Sequence, residues 1–233
     1  MLKSDKCYRK IMNQNQLIDK FNAAYRSFPK NYHDDFDNFW IWKHKIESKN
    51  EHILDKNHLD STHNRICSIL RGWQYKRGPK CDQDPLYKLK QALNNISDDY
   101  DEIRNLTLFD IKQFDMKQFQ RIWQELGDVK IVKTSGNSEN PLVMSVCKPL
   151  MLLWGQTLAF DTRVRGNYYD AYKYSFLRKN RWSSQEWLYS LFLSYSLLEK
   201  NKEFTEYLKK RSLEKYGKDC SIPYGRLLDI YYF

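Results

Sequence analysis

Residues 142–160 form the longest apolar run in an otherwise polar chain, and that run dictates what the remaining residues must do. Lys148, Pro149 and Gln156 interrupt it, so it is ill-suited to spanning a bilayer and has to be buried within a folded domain. Charge closes it at both ends: Lys148 stands near its start, and Asp161, Arg163 and Arg165 follow its end. The cover must come from helices. The 233 residues include only 8 glycines and 6 prolines, too few for the many tight turns of a β-rich fold.

Helical periodicity runs through most of the chain. Leu17, Ile18, Phe21, Ala24, Tyr25 and Phe28 recur at helix spacing until Pro29 stops them. Tyr32, Phe36, Phe39, Trp40 and Trp42 make one face of a second helix, with the polar, histidine-rich residues 44–60 as a solvated face or loop. Residues 60–77 predict a third helix, entered at Asp60-Ser61-Thr62. Residues 85–96 and 100–112 follow, with Ser97-Asp98-Asp99 as the cap between them, and then residues 116–126. Residues 130–133 read as a short strand or an extended link, and residues 134–141 as the clearest loop. Ser183 and Glu186 form a capping box for the helix at 187–198, a charged helix runs to 216, and residues 223–233 are apolar enough to be docked. The expectation is an all-α, compact domain of about ten helices. Division into an N-terminal lobe of 1–130 and a C-terminal lobe of 131–233 is the alternative.

The charge balance points to a polyanionic partner. Lys and Arg number 39 against 29 Asp and Glu, a net charge of +10. Such a surplus favours nucleic acid, by phosphate neutralisation and counterion release, and double-stranded DNA is the simplest candidate. A membrane surface fits less well, because no segment joins a sustained apolar face to a lysine-rich one. No apolar h-region follows the polar first ten residues. The five cysteines are scattered and form no CxxC pair, and the histidines lack metal-ligand spacing. A cytoplasmic monomer with reduced thiols, no metal and no cofactor is expected.

Two stretches interleave basic and aromatic residues. The first, Arg71, Trp73, Tyr75, Lys76 and Arg77, is either a base-stacking, phosphate-holding surface or an ordinary helix end with cations at its dipole. The second contains Arg163, Arg165, Lys173, Arg178, Lys179 and Arg181 with several tyrosines, and it is either phosphate-facing or a helix with core tyrosines and solvated cations. Nucleotide-loop, dinucleotide, nucleophile-elbow and zinc-protease motifs are all missing.

Residues 146–165 resemble the catalytic region of the helix-hairpin-helix (HhH-GPD) DNA glycosylase superfamily. The residues that carry the resemblance are Cys147-Lys148, the apolar run through Trp154, and Ala159-Phe160-Asp161-Thr162-Arg163-Val164-Arg165. Lys148 and Asp161 stand closer together than is usual in that family, and no glycine-rich hairpin precedes Lys148. The loop around Asn137, or the basic 163–181 stretch, would then grip the DNA backbone. The resemblance implies that Asp161 stabilises charge building on a deoxyribose while Lys148 acts as nucleophile or phosphate ligand. Trp154, Gln156, Trp73 and Tyr75 would line a pocket for an extruded base. A plain helix N-cap is the alternative role for Asp161, and the two are compatible. The function so implied is excision of a base, such as a modified base of phage DNA in host defence, leaving an abasic site. A non-catalytic nucleic-acid-binding protein and a helical protein-interaction module are the alternatives.

Overall fold

The structure, a computed structural model, describes residues 13–74, 83–130, 140–216 and 222–233. The described residues form eleven α-helices and two short 3-10 helices, without strands apart from an isolated antiparallel bridge between Leu142 and Arg181. The helices are α1 (Gln14–Ser27), α2 (Lys30–Glu47), α3 (Leu59–Gln74), α4 (Gln83–Asn95), α5 (Ser97–Ile103) and α6 (Met116–Asp128). After them come α7 (Val143–Leu153), α8 (Thr162–Tyr172), α9 (Ser184–Lys200), α10 (Lys202–Tyr216) and α11 (Tyr224–Tyr231). The 3-10 helices are Leu108–Gln113 and Ser175–Arg178. No described helix is long and apolar enough to cross a membrane. The all-α expectation holds. The segment expected as a strand or link near 130–133 and the loop at 134–141 lie almost entirely outside the described residues.

The sequence determines several boundaries locally. Asn13 and Gln16 form a capping box at α1, and Ser183 and Glu186 form the expected one at α9. Pro29, which stops α1, stands as N-cap of α2. That helix runs on to Glu47, so His44 is helical and does not belong to a loop. The cap expected at Ser97-Asp98-Asp99 does not form. Ile96 occupies the N-cap position of α5, and the Ser97 hydroxyl donates instead to the Leu54 carbonyl at 3.1 Å. Thr62 likewise turns inward, its buried hydroxyl donating to the carbonyl of Ile53.

Helix α7 is the centre of the fold. It packs against α2, α3 and α6, and all its residues except Met144 are buried. Buried apolar side chains from Leu17 in α1 to Tyr232 form one contiguous cluster around it. The closing helix α11 docks on α1, and Gly225 to Tyr231 are buried. This docking is close. A Cβ added to Gly225 would lie 2.2 Å from the Gln156 carbonyl carbon and 2.5 Å from both Gly155 O and Thr157 N. Backbone therefore meets backbone where α11 crosses the turn that follows α7. Replacing Gly225 by alanine is expected to lower unfolding free energy by about 3 kcal/mol or more, because rigid main chain cannot yield. Urea denaturation followed by circular dichroism measures this, and a loss below 1 kcal/mol on that scale would refute the close-approach argument.

Candidate functional site

Lys148 lies in the middle of α7, not at its start as the sequence suggests, because Val143 to Cys147 already supply a helical turn. It is followed by Pro149, which removes one helical hydrogen bond. The lysine is 5% exposed. Burial pulls its pKa down, and the carboxylates of Asp161 and Asp229 oppose that shift. Among the described residues no hydrogen bond or ion pair within 4.0 Å reaches the Lys148 ammonium. The amine lies near two carboxylates and is bonded to neither.

The route from Lys148 to Asp161 is tightly specified. After Trp154 the chain turns through Gly155 at φ +76°, where a Cβ would sit 2.1 Å from Pro223 Cγ. The Gly155 carbonyl accepts the Arg226 amide at 3.1 Å. Three residues on, the buried Asp229 side chain accepts the Ala159 amide through Oδ1 at 2.8 Å and the Arg226 guanidinium through Oδ2 at 3.1 Å. Phe160 then adopts a left-handed φ of 49°. A bulky side chain seldom does so, at a strain of about 1–3 kcal/mol that the surrounding contacts must hold. Its ring is locked between Tyr168 and Trp182, with centroids at 5.3 and 4.7 Å.

This strained step delivers Asp161 to the N-terminus of α8. Asp161 Oδ1 accepts the amides of Arg163 and Val164, both at 3.0 Å. Asp161 Oδ2 has no hydrogen-bond partner among the described residues, and the side chain is only half-buried. One oxygen caps the helix and the other remains open. Tyr32 adjoins this carboxylate: burial raises its phenol pKa most, followed by the charges of Asp161 and Asp35. The Tyr32 hydroxyl donates to the Trp73 carbonyl at 3.1 Å, the two rings lie 5.5 Å apart, and the Trp73 indole donates to Asp35 at 2.9 Å. Trp73 thus belongs to the neighbourhood of Asp161, at the end of α3.

The other expected pocket residues do not. Trp154 is 1% exposed and its indole donates to the Leu106 carbonyl at 2.9 Å. Gln156 is buried and accepts the Leu108 amide at 3.3 Å. Both anchor the link that precedes the first 3-10 helix, so neither presents a face to an extruded base. Tyr75, Lys76, Arg77 and Asn137 lie outside the described residues. Arg71 is exposed on α3.

The expected cations cluster on α8 and the segment after it, and most have local partners. Arg163 lies over the Phe233 ring at 4.3 Å, and Arg178 over Tyr169 at 3.9 Å. Arg165 donates to the carbonyls of Arg178 and Lys179, and burial pulls its pKa down against the opposing charge of Asp161. Arg181 donates to the Asn140 carbonyl at 2.7 Å. Lys173 pairs with Asp170 at 2.7 Å, and Lys179 with Glu186 at 3.4 Å. Among the described residues no cluster of His, Cys, Asp and Glu is placed to hold a metal ion.

Asp229, Arg226 and Tyr32 are the site residues that sequence reasoning missed. A visible sign existed: Arg226 and Asp229 stand three apart inside an apolar segment, where isolated charges are costly and pairing is expected. Burial pushes the Asp229 carboxyl up to about 6 despite Arg226 beside it. A carboxyl raised in the folded state contributes most to stability below its ordinary value of 3.8, and that contribution is lost as pH rises through about 6. A carbon-13 titration of Asp229 should therefore show a midpoint near 6, with stability falling between pH 4 and 6 in the wild type. A midpoint at or below 4 would overturn this account of the pair.

Comparison with known protein families, with curated proteins and with solved structures finds no match for this chain.

Proposed function

We propose that the protein is a DNA N-glycosylase that excises an extruded base and leaves an abasic site, with Asp161 as its catalytic carboxylate. The observation that carries this reading is the division of labour within Asp161: Oδ1 caps α8 while Oδ2 stays open, close to a buried lysine. Heterolysis of the bond between C1′ and the base sends the bonding electrons to the base and leaves positive charge on the sugar. A fixed carboxylate oxygen stabilises that charge. Water then adds to C1′, its proton passing to the carboxylate or to the departing base. Because Asp161 is fastened by two amides and by the strained Phe160 step, it needs little reorganisation to do this.

Lys148 stands near enough to the carboxylate for the charge of Asp161 to oppose the burial that pulls its pKa down. At 5% exposure its amine is poorly placed to attack a sugar, which supports hydrolysis alone over a Schiff-base route. Half-buried Tyr32 offers an aromatic side chain next to Asp161 for the extruded base, with buried Trp73 packed behind it, and the cations of α8 and its continuation offer contacts to phosphates. A non-catalytic binding protein would use the same cations. Such a protein gives no reason for a strained residue next to an open carboxylate.

The test uses duplexes and phage genomes that carry candidate modified bases, read as alkali-labile sites. The wild type is expected to produce such sites, and Asp161→Asn to be slower by at least about a hundredfold while still binding DNA. Borohydride is expected to trap no covalent adduct. Equal cleavage by Asp161→Asn, or no cleavage of any substrate, would overturn the assignment.

A further inference from the structure

The exposed aromatic side chains lie mostly along one line, away from Asp161. Tyr174, Tyr189, Phe192 and Phe109 are 40%, 39%, 49% and 42% exposed. Ring centroids step from Tyr174 to Tyr189 in 5.2 Å, on to Phe192 in 6.3 Å, to Tyr195 in 6.2 Å and to Phe109 in 6.1 Å. The Tyr189 and Phe192 rings are within 26° of parallel. These two residues stand one turn apart on the outer face of α9, which Gln185 and Ser196 continue; Glu199 follows one turn beyond Ser196, where it accepts the Tyr195 hydroxyl. Glu186 is turned back into the helix cap, where it accepts the Ser183 amide at 2.8 Å.

Cations border the line at both ends. Lys173, Arg178 and Lys179 surround Tyr174 in sequence and are all exposed. Asp170 and Glu186 pair with two of them and Arg178 lies over the Tyr169 ring, but the Lys173 and Lys179 side chains remain 45% and 61% exposed. At the far end Lys112 stands three residues from Phe109 in a 3-10 helix, where such residues eclipse each other. Contiguous rings in water are unfavourable unless a ligand covers them. Rings spaced for successive planar groups, with positive charge beside them, fit nucleobases and phosphates together. A purely apolar protein ridge would use the rings and leave the cations without a role. Duplex DNA keeps its base faces stacked and would use the cations alone.

We propose that this line is a binding platform for an unpaired nucleic-acid strand, whose bases stack on Tyr174, Tyr189 and Phe192 while Lys173, Arg178 and Lys179 take phosphates. Helix α8 separates the platform from Asp161 by eleven residues, about 16 Å. A strand held here runs alongside the Asp161 site without being part of it, and the inference does not depend on excision.

Fluorescence anisotropy with a labelled oligothymidylate, and with a duplex of equal length, provides the test. Tyr189→Ala and Phe192→Ala are each expected to weaken single-strand binding by about tenfold and to leave duplex binding unchanged. Tyr189→Phe and Phe192→Tyr should retain the wild-type affinity, and an oligomer of abasic sugar phosphates should bind the wild type as weakly as the alanine variants bind thymidylate. Asp161→Asn should bind the strand normally, so a failure of catalysis and a failure of this platform give different results. Unchanged strand affinity in both alanine variants overturns the proposal. So does a concentration-dependent dimer that Phe192→Ala dissociates, which would make the line a protein contact.

Discussion

The buried pair of Arg226 and Asp229 is the interaction on which the rest of the site depends. Removing two charges from water costs several kcal/mol per ion, and an isolated pair rarely recovers it. Here the remaining hydrogen-bonding capacity is also used. Asp229 takes the Ala159 amide, while Arg226 donates to the Tyr32 carbonyl at 3.0 Å and lies over the rings of Phe28 and Phe36 at 4.6 and 4.8 Å. One pair of side chains therefore joins the N-terminal helices, the turn after α7 and the closing helix. Loss of Asp229 would leave the Arg226 guanidinium buried and unmatched, and loss of Arg226 would drive the Asp229 carboxyl further toward its neutral form.

Around this pair two carboxylates live in different surroundings. Asp229 is sealed in and pushed toward its neutral form, whereas Asp161 is half-open on a helix end and linked to it through Ala159 and the strained Phe160. Lys148 lies close enough to both for their charges to oppose the effect of its burial. The arrangement separates support from exposure: the sealed carboxylate fixes the main chain, and the open one has an oxygen to spare.

Much of the fold was legible in the sequence because helical periodicity is a local property. The stripes at Leu17–Phe28 positions and at Phe119, Ile122, Trp123 and Leu126 set helix faces, and Ser183 with Glu186 marked a helix start. The failures came where a distant partner outbid a local one. Ser97 and Thr62 had good capping chemistry, yet each hydroxyl bonds a carbonyl on the 53–54 segment. Trp154 and Gln156 have the chemistry of a base pocket, but the carbonyl of Leu106 and the amide of Leu108 needed partners inside the core. Asp161 was readable because its cap is local. For Asp229 only the local pairing with Arg226 could be read; its hold on Ala159, 70 residues away, could not.

The same separation in sequence has a kinetic side. Arg226 reaches Tyr32 across 194 residues, and closing so long a loop is slow relative to forming single helices. A chain that has collapsed with most of its helices in place still has a slack turn at 155–161, with nothing to hold Phe160 in its left-handed conformation. The geometry at Asp161 would then be set only when that long loop closes, after the helices have formed.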